Sequence, residues 1–181
     1  TDYHFTTKSA GHGGMRSIVL APSSVQECHD LVQLAFHLAD KYRILCIVLS
    51  DAIIGQSAEM LEVKTLEFDE LPAKNWALKG SSEKKGVKVI MDSFMPFNYS
   101  SYFPMIRKKT DKIEEEETRL EQKYTDDADL IVVSWGSTAR TCLEAIEGVR
   151  ADGLKVGLLR PITLWPFPRQ AIHEAAKKAG K

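Results

Sequence analysis

The stretch that most limits what this chain can fold into is Asp129-Leu-Ile-Val-Val-Ser-Trp-Gly-Ser-Thr138, a short apolar run rich in β-branched residues that stops abruptly at glycine. Such a run, bounded by turn residues, reads as a buried strand. Residues 139–152 then place Cys142, Ala145, Ile146 and Val149 at helical spacing. Ser137 or Thr138 is available as a cap, and Gly153 suits a left-handed helix end. Lys155-Val-Gly-Leu-Leu159 reads as a second strand, and a connection of this length returns it parallel to the first. Arg160-Pro-Ile-Thr-Leu-Trp-Pro-Phe-Pro168 holds too much proline for a helix or a central strand, which predicts a rigid loop at the strand's carboxyl end. Open α/β sheets meet ligands and other subunits at that edge, so Gly136–Thr138 and Arg160–Trp165 are expected on one functional rim.

Residues 15–56 repeat the pattern. Ile18-Val-Leu-Ala21 is a strand, and Ser24 with Glu27 forms the S-x-x-E box that opens a helix. Along it Cys28, Leu31, Val32, Ala35, Leu38, Ala39 and Tyr42 share one face suited to packing on a sheet. Ile44–Leu49 is the next strand, ending at Ser50-Asp51. Asp51 either caps the following turn, the reading its residue type favours, or serves as a carboxylate in the cleft. Upstream, Gly11-His-Gly-Gly14 lacks G-x-G-x-x-G spacing and a P-loop lysine, so by itself it reads as a surface loop more readily than as a phosphate cradle.

Between the two units the alternation breaks. Phe68–Trp76 reads as an irregular arm, Ser81–Gly86 as a solvated turn, and Val87–Ile90 as a candidate strand. Lys108–Tyr124 is expected to be a single charged helix with a narrow stripe of Ile113, Leu120 and Tyr124, and with Glu115 facing Arg119.

With 44% hydrophobic residues over 181 and a formal net charge of −1, the chain can fill one ordinary core or two small ones. The charge balance gives no electrostatic reason to expect nucleic acid or an anionic membrane. The apolar runs are far too short to cross a bilayer, and the polar start is no signal peptide. Cys28, Cys46 and Cys142 stand singly, as reduced thiols of a cytoplasmic protein would. His29 and His37 lie two turns apart on one helix, too far to share a metal ion. No metal site is expected. The first residue is not Met and the α/β alternation stops after a helix, so the chain is expected to be a piece of a longer polypeptide.

Several of these motifs occur together in a known family. Ile18-Val-Leu-Ala-Pro-Ser-Ser-Val-Gln-Glu27, Ala39-Asp-Lys-Tyr42, Ile47-Val-Leu-Ser-Asp51, Asn75-Trp-Ala-Leu-Lys-Gly80, Ser134-Trp-Gly-Ser-Thr-Ala-Arg140 and Lys155–Pro168 together resemble the alpha chain of 2-oxoacid:ferredoxin oxidoreductases. The Trp76 segment and the acidic helix are most similar to the 2-oxoisovalerate, branched-chain branch. The resemblance implies two parallel-sheet α/β units. Residues 1–66 would be the last part of a pyrimidine-binding thiamine diphosphate fold domain and 129–181 the start of a transketolase C-terminal-like domain, joined through 67–128 by an irregular arm and the charged helix. It implies an enzyme that oxidatively decarboxylates a 2-oxoacid, transfers the acyl group to coenzyme A and passes electrons through iron–sulfur clusters to ferredoxin.

In this sequence the family's GDG motif for diphosphate and magnesium is absent. The resemblance therefore implies that thiamine diphosphate and its Mg are bound mainly by a beta subunit and the clusters by ferredoxin-like and gamma subunits. This piece alone is expected to be inactive, with no catalytic residue of its own. The resemblance also makes Lys8, His12, Gly13, Gly14 and Asp51 candidates for cofactor or substrate contact near the cleft. Arg160, Thr163 and Trp165 are candidates for subunit contact, since arginine and aromatic side chains on a rigid loop make good anchors, and core packing is the alternative reading of Trp165. Two alternatives share parts of this pattern: a beta-type subunit of a lipoamide-linked 2-oxoacid dehydrogenase or transketolase-like enzyme, and a non-catalytic α/β assembly module.

Overall fold

The computed structural model describes residues 2–8, 16–74, 77 and 99–179. The elements run α1 (Asp2–Thr7), β1 (Ser17–Leu20), α2 (Val25–Tyr42), β2 (Leu45–Val48), α3 (Ala52–Gln56), α4 (Tyr99–Glu116), β3 (Leu120–Lys123), β4 (Leu130–Val133), α5 (Gly136–Ala151), β5 (Val156–Pro161), β6 (Thr163–Trp165) and α6 (Arg169–Ala179). The expected Gly11–Gly14 loop, the Ser81–Gly86 turn and the Val87–Ile90 strand lie outside the described residues, as do Asn75 and Trp76.

Both expected parallel pairs are present. β1 runs beside β2 with Ser17 opposite Leu45, and β4 beside β5 with Leu130 opposite Val156. Each pair gains an antiparallel third strand, so the sheets are mixed, in the orders β2-β1-β6 and β3-β5-β4. In the first sheet, Ile18, Val19, Leu20 and Ala21 are fully buried beneath Leu31, Ala35, Leu38 and Tyr42 of α2. These residues recur every three or four positions, so one stripe of α2 covers the sheet. Val32, expected in that stripe, stands at its margin and is 43% exposed.

Two expectations fail here. Arg160–Pro168 is not a loop: β5 continues to Pro161, the chain turns at Ile162, and β6 enters the other sheet antiparallel to β1. Pro161 ends its strand and Pro166 and Pro168 follow β6, positions where a missing N–H breaks no ladder. The crossover is held by Arg119, whose carbonyl accepts the Ile162 and Thr163 N–H groups at 3.0 and 3.1 Å, while its N–H donates to Thr163 Oγ1 at 2.9 Å.

The charged helix likewise lies earlier in the chain than expected, at Tyr99–Glu116 instead of Lys108–Tyr124. It ends at Glu116, and Leu120 lies in β3 opposite Pro161 instead of on a helical stripe. Glu115 and Arg119 therefore do not face each other along a helix. Arg119 pairs with Glu117 at 2.7 Å. The buried end of α4 explains the break. Ile113 is fully buried, and Glu117, 2% exposed, accepts from Lys41 Nζ at 2.8 Å and from Tyr42 Oη at 2.6 Å. Burial alone would raise the Glu117 pKa, but these donors and Arg119 outweigh it and hold the carboxyl below its ordinary value.

Candidate functional site

The carboxyl ends of β1, β2 and β4 and the N-termini of α2, α3 and α5 converge on one seam between the two sheets. Local sequence accounts for each helix start. Ser24 adopts extended backbone and its side chain accepts the Glu27 N–H at 3.1 Å, as the S-x-x-E spacing predicts. The return bond from Glu27 goes one residue further back than in the usual box, to the Ser23 N–H at 2.7 Å. Asp51 caps α3, taking the Ile54 N–H on Oδ1 at 3.0 Å.

α5 begins without a cap of its own. Trp135 occupies the cap position with no side-chain hydrogen bond, and neither Ser137 nor Thr138 fills the role expected of them. The acceptor comes from the other unit: Asp51 Oδ2 takes the Ser137 N–H at 2.8 Å. Gly136 makes this approach possible. Its φ is +66°, and a Cβ there would stand 2.9 Å from Asp51 Oδ2. Burial opposes charge on Asp51, but the N–H groups of Ile54 and Ser137 outweigh it and keep its carboxyl below the ordinary carboxylate range.

Two further ion pairs cross the seam. Glu59 accepts the Val25 N–H at 2.9 Å on Oε2 and pairs through Oε1 with Arg140 of α5, which also reaches the Ser23 carbonyl. The Arg140 hydrogen bond, followed by that of Val25, depresses the Glu59 pKa. Arg160, at the end of β5, donates to Glu27 through Nη1 and Nη2 at 2.9 and 2.7 Å, and through Nε to Glu121 at 2.7 Å. Glu121 is also its cross-strand partner on β3. Burial would loosen the Arg160 proton, but the two carboxylates reverse that effect and raise its pKa.

Among the expected site residues, Asp51 is on the seam, with both carboxylate oxygens engaged in helix capping. Lys8 is exposed at the end of α1, where its N–H donates to the His4 carbonyl at 3.0 Å. His12, Gly13 and Gly14 lie outside the described residues. Arg160, Thr163 and Trp165 are 5%, 0% and 9% exposed, with their side chains packed and bonded inside this chain. These residues lie in β5 and β6 in place of the expected rigid loop, and Trp165 takes the core position that was its alternative reading. Glu59, Arg140 and Glu121 were not foreseen. Their role rests on partners far away in the sequence, and nothing local marks it.

A diphosphate does not fit these helix ends. The positive N-terminus of α2 faces Glu27 and Glu59, and those of α3 and α5 face Asp51, so a further anion would meet carboxylates at each. Among the described residues no group of three or more His, Cys, Asp or Glu side chains is placed to hold a metal ion.

What these elements define is an α/β protein with two small mixed sheets, joined rim to rim across a seam of helix N-termini and ion pairs. The chain belongs to the family of pyruvate flavodoxin/ferredoxin oxidoreductases, whose thiamine diphosphate-binding domain model matches residues 8–126; the model of pyruvate:ferredoxin oxidoreductase core domain II matches 128–181. It is 43% identical over 177 residues to the ketoisovalerate oxidoreductase subunit VorB of Methanothermobacter marburgensis, covering 97% of this chain and 50% of that one. It is 27% identical over 208 residues to the 2-oxoglutarate synthase subunit KorA of Methanothermobacter thermautotrophicus, covering 94% of this chain and 52% of the relative. The chain thus spans about half the length of these curated relatives. In fold it is similar to a solved structure of the 2-oxoglutarate:ferredoxin oxidoreductase from Magnetococcus marinus with 2-oxoglutarate, coenzyme A and succinyl-CoA bound. That likeness has a TM-score of 0.73 at 23% identity, over 98% of this chain and 36% of the other.

Proposed function

We propose that this chain is part of the alpha-type subunit of a 2-oxoacid:ferredoxin oxidoreductase acting on a branched-chain acid such as 2-oxoisovalerate. The products are the acyl-CoA, CO2 and reduced ferredoxin. The observation that carries this reading is the likeness, along nearly the whole chain, to a ketoisovalerate oxidoreductase subunit, which exceeds the likeness to 2-oxoglutarate synthase subunits. Residues 1–66 close the pyrimidine-binding domain, 67–128 link, and 129–181 open the transketolase C-terminal-like domain. The protein works in the cytoplasm; no helix among the described residues is long and apolar enough to cross a membrane.

The carboxylate-filled helix ends support placing the diphosphate and magnesium on a beta subunit, with the iron–sulfur clusters on ferredoxin-like and gamma subunits. When bound in the complex, thiamine diphosphate supplies the carbanion chemistry of decarboxylation. This chain supplies the rigid wall beside it, and Lys8, His12, Gly13 and Gly14 are its candidates for reaching cofactor or substrate. Both Asp51 oxygens face helix N–H groups, so Asp51 acts by positioning the rim.

The test is the full-length chain purified with its partner subunits, assayed for coenzyme A-dependent ferredoxin reduction with 2-oxoisovalerate, 2-oxoglutarate and pyruvate. The highest kcat/KM is expected with 2-oxoisovalerate. Preference for 2-oxoglutarate or pyruvate would overturn the substrate assignment, and reduction of lipoamide in place of ferredoxin would overturn the reaction.

A further inference from the structure

Residues 57–74 contain neither helix nor strand, yet they follow a defined path along α2. Gln26, Gln33 and Asp40 stand seven residues apart and so occupy one line on the helix surface. Gln26 grips Glu62 on both sides, accepting its N–H at 2.9 Å and donating to its carbonyl at 3.1 Å. Gln33 accepts the Leu66 N–H and donates to the Lys64 carbonyl, both at 3.0 Å. His37 stacks on Phe68 with ring centroids 4.8 Å apart, and Lys74 bonds Asp40 at 2.6 Å. Glu59 anchors the start of this strap at the Val25 N–H and Arg140.

The strap nevertheless leaves part of its apolar surface in solvent: Met60 is 97% and Val63 79% exposed, while Leu61 and Phe68 are each 39% exposed. Ordering each residue costs more conformational entropy than one exposed hydrogen bond returns, and a segment burying so little apolar surface has small means to offset that. Its outward chemistry is also one-sided. Glu62, Glu67, Asp69 and Glu70 outnumber Lys64, while Glu59 and Lys74 are engaged with Arg140 and Asp40.

We propose that the strap is a docking surface for another subunit of the oxidoreductase, one that presents an apolar patch rimmed by lysine or arginine. This rests on the reading of the chain as a subunit of that enzyme. Met60 and Val63 enter the apolar patch, the acidic residues meet the basic rim, and the Gln26–Gln33 ladder sets the register in which the strap is offered.

The experiment is hydrogen exchange on the full-length chain, alone and in the purified complex, with turnover of the same complex measured in parallel. The Leu61, Val63 and Thr65 amides are expected to exchange at least tenfold more slowly in the complex. Met60→Asp, at a position too exposed to affect folding, and the double reversal Glu67→Lys/Glu70→Lys are each expected to weaken assembly at least tenfold, the reversal more strongly at low salt. Equal exchange in both samples overturns the proposal. So does protection already complete in the isolated chain, which would mean that a second copy or another part of the same chain covers the strap, and so does assembly of both variants at wild-type affinity. A complex that turns over with an unprotected strap refutes the docking alone; one with a protected strap and no ferredoxin reduction refutes only the enzymatic reading.

Discussion

Asp51 Oδ2 accepts the Ser137 N–H at 2.8 Å, so a carboxylate at the end of a strand in the first sheet closes the N-terminus of a helix packed on the second. The other oxygen closes α3. Asp51→Asn keeps one acceptor and loses the charge, and is expected to destabilise the chain by about 1–2 kcal/mol; Asp51→Ala is expected to cost more, because both helix ends lose their acceptor. Urea unfolding of the two variants checks this. Equal stability of wild type and Asp51→Ala would contradict it.

Gly136 and Gly148 make a matched pair on α5. At Gly136 a methyl group would meet both a φ of +66° and the Asp51 carboxylate, whereas at Gly148 nothing lies within 4 Å. Gly136→Ala is expected to cost at least about 1–2 kcal/mol, and Gly148→Ala to be neutral or to stabilise by up to about 1 kcal/mol. Thermal melts of both should move in opposite directions or, at the least, only the first should fall.

Acid should weaken the fold. Asp51, Glu117 and Glu121 all sit below their ordinary values of 3.8, 4.5 and 4.5 in the folded chain. The unfolded chain therefore takes up protons first as pH falls. Their contribution is complete above about pH 5 and is lost as pH drops through the ordinary carboxylate range towards the lower folded values. Urea midpoints at several pH values between neutral and acid should be flat and then decline. A midpoint that rises on acidification would be incompatible with these partners.

Cys46 lies on β2, where burial, aided by the Glu117 charge, pushes its thiol up to about 12. Thiolate is the reactive form, so Cys46 should resist iodoacetamide near pH 8 in the folded chain and react on unfolding. Peptide mapping after a timed exposure reads this directly.

The two parallel βαβ pairs were legible because each has a local signature: an apolar run, a turn, an amphipathic helix and a second run. The antiparallel strands were not. Leu120-Glu-Gln-Lys123 is polar because β3 is an edge strand, and in sequence it continues the charged character of α4 without a break. Thr163–Trp165 was hidden by prolines that fall just outside the ladder. The seam was the hardest part to read. Asp51 carried the signature of a cap for its own helix, but its second oxygen serves Ser137, 86 residues away, and Arg160 finds Glu27 across 133. Side chains that act through distant partners leave no spacing to find.

Arg160 tests the coupling energetically. Arg160→Met would leave Glu27 and Glu121 facing each other without their shared cation, an expected loss of about 2–4 kcal/mol, reduced from the fully buried case because both carboxylates reach solvent. Arg160→Lys should recover only part of it, since an ammonium cannot span both partners with the same fork.

The β5–β6 crossover, through Arg160 and Thr163, makes the two sheets one body with a common rim. Native-state hydrogen exchange on the full-length chain tests it most directly, by comparing the Val19 amide in the first sheet with Leu159 in the second. A single opening free energy for both, splitting into two in Arg160→Met, is the predicted result. Two unequal values in the wild-type chain, unchanged by that substitution, would contradict the account.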